Sequence, residues 1–243
     1  MGRLGWVVLT LFIFAVPVFL VAGSVTWAFN SPGLYNDGFE KYSIARISGI
    51  SDSDLRQVGA EIRGYINSGD EPLHIRTTVL GAERDLFNDR EVAHMSDVKR
   101  LVRGVYILAL ASGALLAAIV VGGFAILRRR FVEPLAKLAL GGGGLTLGLL
   151  IVFGIVALVG FDSVFLKFHQ LSFANDFWQL DPRTDYLVRI FPQNFWFDAT
   201  MWVAIRAIAG ALLLTVAGTA YLVSRRYSGW QRALSGLKGA RET

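Results

Sequence analysis

Four uninterrupted apolar runs limit what this chain can fold into more than any other feature. They are residues 5–28 (GWVVLTLFIFAVPVFLVAGSVTWA), 104–127 (GVYILALASGALLAAIVVGGFAIL), 139–161 (ALGGGGLTLGLLIVFGIVALVGF) and 199–223 (ATMWVAIRAIAGALLLTVAGTAYLV). As helices, runs of this length cross a hydrocarbon core of about 30 Å. A lone segment in lipid must satisfy its own backbone hydrogen bonds, which a helix does. The whole chain is 53% hydrophobic, too apolar for an ordinary soluble domain. The reading is an all-α integral membrane protein with four transmembrane helices. It is one membrane domain over 1–243, with extracytoplasmic helical segments forming a lid. Val21-Ala22-Gly23 has the small residues of a signal-peptide cleavage site. The run that contains it is longer than a typical signal core, so a retained helix is expected.

The placement of Lys and Arg orients these helices. The short 128–138 connection (RRRFVEPLAKL) has four basic residues and one acid, and the tail 224–243 has five and one. The 162–198 connection has three basic residues against five acids. The positive-inside rule then predicts both termini and 128–138 in the cytoplasm, with 29–103 and 162–198 outside. The net charge of +5 mostly reflects this bias, so no nucleic-acid partner is expected. Membrane lipids are, and the chain is read as a monomer. With no cysteine, disulfides, thiolate nucleophiles and cysteine zinc sites are excluded.

In the first outer segment, Leu55, Val58, Ile62, Tyr65 and Ile66 recur at helical spacing after a Ser/Asp start. This predicts a short amphipathic helix over 51–66, ended by Gly69-Asp70-Glu71-Pro72. Residues 73–80 (LHIRTTVL) are β-branched and partly alternating, but an isolated strand is not stable, so an irregular segment is expected. Asn88 or Asp89 can cap a helix running into the second apolar run. On that helix His94, Val98, Leu101, Val102 and Val105 share one face. Glu91 and Asp97 lie three residues either side of His94, where a carboxylate can orient an imidazole.

In the second outer segment, a third helix continued past Phe161 would align Phe165, His169, Ser172 and Asp176. Asp181-Pro182 predicts an N-cap followed by proline at the first helical position, and so a short helix over 182–190. Phe173, Phe177, Trp178, Tyr186, Phe191, Phe195, Trp196 and Phe197 read as an aromatic belt at the outer headgroups.

His94 and His169 both flank an apolar run on the same predicted face. The bland alternative is a pair of surface histidines. His74 has no such frame and reads as structural. A metal site built from these histidines with Asp97 or Asp176 lacks a tight ligand pair, and none is expected. Arg206 lies about 10 Å into the fourth helix at 1.5 Å per residue. It either snorkels outward or contacts an ester or headgroup oxygen. Gly141–Gly144 suit close helix packing. No phosphate-binding loop, nucleophile elbow or dinucleotide fingerprint occurs, and no cofactor is expected.

Two stretches, NDREVAHMSDVK (88–99) and FHQLSFANDFWQLDPRTDYLVRIFP (168–192), occur together with four spans in this order. In that combination the chain resembles the bacterial lipoprotein intramolecular transacylase (Lit) family. The resemblance implies an enzyme, an acyltransferase of the bacterial cytoplasmic membrane acting at its outer face. Its substrate would be a diacylated lipoprotein. One acyl chain would move from the diacylglyceryl group to the α-amino group of the N-terminal cysteine, leaving a lyso-form lipoprotein. The resemblance implies that His94 and His169 are the family's functional histidines; Glu91, Asp97, Asp176 and Arg206 are the supporting residues that spacing and depth suggest.

The chemistry agrees with the residues present. The substrate supplies its own nucleophile, so no serine or cysteine is needed. An α-amino group titrates at about 7.7–8, within reach of a histidine base. His94 is the first choice as base because Glu91 and Asp97 flank it, leaving His169 as acid or electrophile. Such a mechanism needs the two rings within roughly 10 Å, room for one carbonyl and its partners. The alternatives are a non-enzymatic scaffold binding lipid or a partner, and a lipid hydrolase using water in place of the amine.

Overall fold

The structure is a computed structural model that describes residues 3–239, with side chains for 5–228. Its elements in chain order begin with α1 (Arg3–Asn30), α2 (Pro32–Lys41), α3 (Ile44–Ser48) and α4 (Asp52–Asn67). Strands β1 (Arg76–Val79) and β2 (Ala82–Asp85) follow, then α5 (Asp89–Leu127), one 3-10 turn (Arg128–Phe131) and α6 (Val132–Ser172). The chain ends with α7 (Tyr186–Ile190) and α8 (Gln193–Gly239). Three helical stretches are long and apolar enough to cross a membrane: Gly5–Asn30, Asp89–Ser172 and Gln193–Ser228. The runs 104–127 and 139–161 fall within the second of these. The expected tail 224–243 continues α8 to Gly239, and residues 240–243 lie outside the described residues.

The chain divides into two compact units, to both of which α1, α5, α6 and α8 contribute residues. The first comprises Met1–Val21, Ala109–Val152 and Arg206–Thr243. It packs Phe12, Val16 and Leu138 against Ile13, Leu116, Ile119 and Leu214. Its glycines allow close helix approach. A Cβ on Gly142 would meet Val16 at 2.7 Å, and one on Gly143 would meet the Ala211 carbonyl at 2.7 Å. Small residues serve this purpose wherever helices associate in lipid.

The second unit comprises Ala22–Leu108 and Phe153–Ile205. Its core is continuous from Tyr35 and Phe39 through Leu55, Val58, Ile62 and Ile66 to Ile190, Phe191 and Phe195. Helix α4 forms as its periodicity predicts. The Ser51 hydroxyl accepts the Asp54 amide at 3.2 Å, Asp52 and Asp54 occupy the first turn, and the apolar stripe is buried. This is N-capping with acidic residues at the positive end of the helix dipole. Helix α5 opens on a capping box: Asn88 Oδ1 accepts the Arg90 and Glu91 amides, and Glu91 Oε2 accepts the Asn88 amide.

Four local expectations need correction. First, 73–80 is not irregular. Strand β1 pairs antiparallel with β2, Arg76 opposite Asp85 and Val79 opposite Ala82, so the fold is mostly helical but not all-α. Leu80 and Gly81 both take positive φ, 50° and 84°, as a two-residue type I′ hairpin requires. The inner face of β1, Thr77 and Val79, is buried beside Ile75, and that burial supplies what a lone strand lacks. Second, the 182–190 helix is shorter. Asp181 accepts the Arg183 amide at 2.9 Å and Asp185 accepts the Asp181 amide at 2.7 Å, closing a turn before α7 starts at Tyr186. Third, α6 ends at Ser172, so Asp176 lies beyond the helix that carries His169; Gly160 kinks α6. Fourth, half of the aromatic belt is core, and Trp178, Trp196 and Phe197 are half-buried. Phe173, Tyr186, Phe191 and Phe195 are buried, whereas Phe177 is exposed.

Candidate active site

The second unit brings His94 and His169 together. His94 lies one turn into α5 beyond the capping box, and His169 lies in the last turn of α6. Their ring centroids are 6.1 Å apart, with the planes tilted by 34°. Aromatic rings enclose the pair. Phe173 meets His94 edge-on at 5.0 Å and His169 at 5.6 Å. Phe165 is 4.3 Å from His169 and Trp178 is 5.2 Å from it. His94 is 7% exposed and His169 9%, low for histidines.

Both histidines lie outside the apolar runs, and burial keeps both neutral. Desolvation, then the neighbouring His169, pushes His94 from the usual histidine value down to about 4, against the pull of the Asp97 carboxylate. Burial also lowers His169, partly offset by its hydrogen bond to the backbone. That bond defines the tautomer: His169 Nδ1–H donates to the Phe165 carbonyl at 2.8 Å. Nε2 then carries the lone pair. The buried Nδ1 of His94 has no hydrogen-bond partner.

The flanking acids do other work than the spacing suggests. Glu91 does not orient His94. Its oxygens accept the Asn88 amide at 2.8 Å and the Leu187 amide at 2.6 Å, tying α5 to α7. Asp97 accepts Asn175 Nδ2 at 2.8 Å and pairs with Arg100. The exposed Asp176 lies 3.7 Å from Arg90, and Arg90 Nη2 also donates to the Asp176 carbonyl at 2.6 Å. Asn175 and Arg90 thus hold the 173–180 loop against α5 beside the histidines. Neither was singled out from the sequence, although Arg90 stands one turn before His94 in the NDREVAH stretch. His74 is exposed, 3.7 Å from Asp85 on the hairpin. Arg206 is exposed on α8 in the first unit. Among the described residues no three His, Cys, Asp or Glu side chains converge as a metal ion would require.

Two neutral imidazoles in an apolar enclosure can remove a proton at one nitrogen and donate a hydrogen bond from another. Comparison with known proteins bears on this arrangement. Residues 10–196 match the family described as lipoprotein intramolecular transacylase Lit. An uncharacterized protein of Aquifex aeolicus (strain VF5) is 33% identical over 137 residues, 54% of this chain and 56% of that protein. The chain therefore spans little more than half the length of the curated relative it matches. Among solved structures, the membrane-integral lipoprotein intramolecular transacylase Lit from Bacillus cereus superposes with a TM-score of 0.79 at 19% identity. That match covers 94% of this chain and all of the other. A histidine-to-arginine variant of the same protein superposes at 0.74 and 18% identity, covering 93% of this chain and 96% of the other. At such identities the likeness speaks for the fold.

Proposed function

This chain belongs to the lipoprotein intramolecular transacylase family, and from that premise we propose that it moves an acyl chain within a diacylated lipoprotein. The observation that carries the proposal is the buried, uncharged pair His94 and His169 with rings 6.1 Å apart. The α-amino nitrogen of the substrate's N-terminal cysteine attacks a glycerol ester carbonyl. An N–C bond forms, the ester C–O bond breaks, and the proton leaving nitrogen ends on the glycerol oxygen. No atom is gained or lost.

His169 is the base. Its Nδ1–H is committed to the Phe165 carbonyl, so Nε2 is the nitrogen available to take the amine's proton and return it to the leaving oxygen. The first choice from the sequence was His94, on the strength of Glu91 and Asp97. Glu91 is bound to backbone amides and Asp97 to Asn175 and Arg100 instead, which removes that reason. His94 is the electrophile. With its pKa near 4 it stays uncharged at neutral pH and holds the developing oxyanion through an N–H. Phe165, Phe173 and Trp178 exclude water that would otherwise hydrolyse the ester.

In the same proposal α5 and α6 are two spans, which makes four. The Arg128 turn at φ 50° between them supports this, as does length. An unbroken helix of 84 residues would be about 126 Å long at 1.5 Å per residue. The basic 128–138 connection and both termini face the cytoplasm, and the histidines work at the outer face beneath the 173–180 loop as lid.

The test uses purified protein with two diacylated lipopeptides, one bearing deuterated acyl chains on a distinguishable peptide. Transfer within one molecule leaves each mass unchanged and puts an N-acyl mark on the terminal cysteine of the same peptide. Crossed labels would mean transfer between molecules, and loss of one acyl mass would mean a lipase. No change in a competent substrate would leave a scaffold.

A further inference from the structure

Away from the histidines, the second unit gathers cationic and hydrogen-bonding side chains where α1, α4 and α5 meet. Asn30, at the end of α1, donates to the Tyr106 hydroxyl at 2.8 Å and accepts from Asn67 Nδ2 at 2.9 Å. Asn67 also donates to the Arg63 carbonyl at 2.8 Å. Arg63 lays its guanidinium over the Tyr35 ring at 5.1 Å. Arg103, one turn before Tyr106, donates to the Ser68 carbonyl.

Two features of this cluster call for an anion. Arg63 Nη1 is buried without a hydrogen-bond partner, and a buried charged donor left unpaired is costly. Among the described residues no carboxylate lies within ion-pair distance of Arg63 or Arg103, whereas Arg76, Arg90, Arg100 and Arg183 of this unit each have one. The location narrows the anion. The first apolar run ends at residue 28 and the second begins at 104, so Asn30, Arg103 and Tyr106 stand where hydrocarbon gives way to headgroups. Trp and Tyr favour this level, and lipid phosphates occupy it.

We propose that Arg63, with Arg103 and Tyr106, binds the phosphodiester of a membrane phospholipid. Guanidinium recognises phosphate oxygens through paired N–H donors. The chains of the lipid would run along the apolar end of α1 and the apolar run of α5. A diacylglyceryl lipoprotein has no phosphate in its lipid, so this site is distinct from the one that takes the substrate. Tyr106 lies twelve residues after His94 on α5, about 18 Å along the helix.

The test is native mass spectrometry of delipidated protein resupplied separately with phosphatidylglycerol, with diacylglycerol of the same chains, and with inorganic phosphate. Phosphatidylglycerol should be retained and diacylglycerol released. Arg63→Gln should lower retained phosphatidylglycerol about tenfold, one charge-assisted contact, at unchanged circular dichroism. Arg63→Lys, which keeps the charge but loses the planar fork, should fall between. The comparison of lipids on the unaltered protein decides the matter even if a variant misfolds. Equal retention of diacylglycerol, or equal retention of phosphatidylglycerol by Arg63→Gln, overturns the proposal. So does inorganic phosphate displacing the lipid at equal concentration, which would make this a soluble-anion site.

Discussion

His94 and His169 differ in what their ring nitrogens touch, and that difference makes separate predictions. Each should be required. His94→Ala or His169→Ala should lower kcat/KM for N-acyl formation by at least about a hundredfold, the scale of general acid–base catalysis. Membrane insertion should be unchanged, and the exposed His74→Ala should be nearly silent. Full activity in either buried variant would sink the mechanism. The pH profile follows from the depressed pKa values. A neutral pair has no protonation step near the ordinary histidine value of about 6.5, so the rate should climb only with the substrate's amine, at about 7.7–8. An additional limb near 6.5 would mean that the rings are solvated. For stability the sign runs the other way from an ion-paired histidine. Unfolded His94 takes up its proton more readily than folded His94, so stability is intact above about 6.5 and is lost as pH falls from there toward about 4. Thermal unfolding between pH 7 and 4 should show this loss in the parent protein. A His94→Phe variant that keeps the ring among its aromatic neighbours should show less of it. That both histidines flank an apolar run on one predicted face was legible from spacing, and their approach to within roughly 10 Å was expected from the two-histidine mechanism. The tautomer of His169 was not legible, because it depends on a carbonyl one turn back on α6.

Glu91 joins two elements rather than serving the chemistry. It closes the α5 capping box and receives the first-turn amide of α7. Glu91→Ala would leave two backbone amides without their acceptor, at about 1–3 kcal/mol each if they stay buried. The expected outcome is a protein destabilised by about 2–6 kcal/mol in denaturant titration, with an unaltered pH profile in whatever fraction remains folded. A shift in the pH profile without loss of stability would restore the histidine-orienting role. Local signals served well where one element's own periodicity decided the outcome. α4 begins at its Ser51 cap, and its stripe from Leu55 to Ile66 is the buried face. They served poorly where the partner lies elsewhere in the chain. The β1 strand needs β2 and the core beneath it. The 181–185 turn needs Asp185, which also accepts from Asn88 at the start of α5. Aromatic residues near a membrane suit a headgroup belt and a protein core equally well, and Phe191 and Phe195 went to the core because α2 lies against them.

At the scale of the whole molecule, charge is the term that assigns each connection to a face of the membrane. The 128–138 connection carries Arg128, Arg129, Arg130 and Lys137 against Glu133. Glu133 is shared between Lys137, at 2.8 Å, and Arg225. One carboxylate therefore offsets part of a cluster that Arg226 extends further, and the excess positive charge remains. Carrying such a short basic connection across a membrane is strongly disfavoured, whereas the 29–103 segment is long enough that its own charges hardly bear on orientation. The cysteine-free sequence makes the test clean, because every introduced thiol is the sole target. Single cysteines at positions 68 and 183 should react with a membrane-impermeant maleimide in intact cells. A cysteine at 137 should react only after permeabilisation. Position 68 caps the C-terminal end of α4 and position 183 lies in the exposed turn before α7, so the replacements cost only local hydrogen bonds, those of the Ser68 hydroxyl with Tyr65 and Asp70 and of Arg183 with Asp181. Labelling at 137 in intact cells, with 68 and 183 silent, would invert the orientation and put the two histidines on the cytoplasmic face, where an outer-leaflet lipoprotein could not reach them. Labelling at 68 but not at 183 would mean an odd number of crossings between them, so that α5 and α6 make a single span. The predicted pattern, 68 and 183 together and 137 apart, requires α5 and α6 to cross separately.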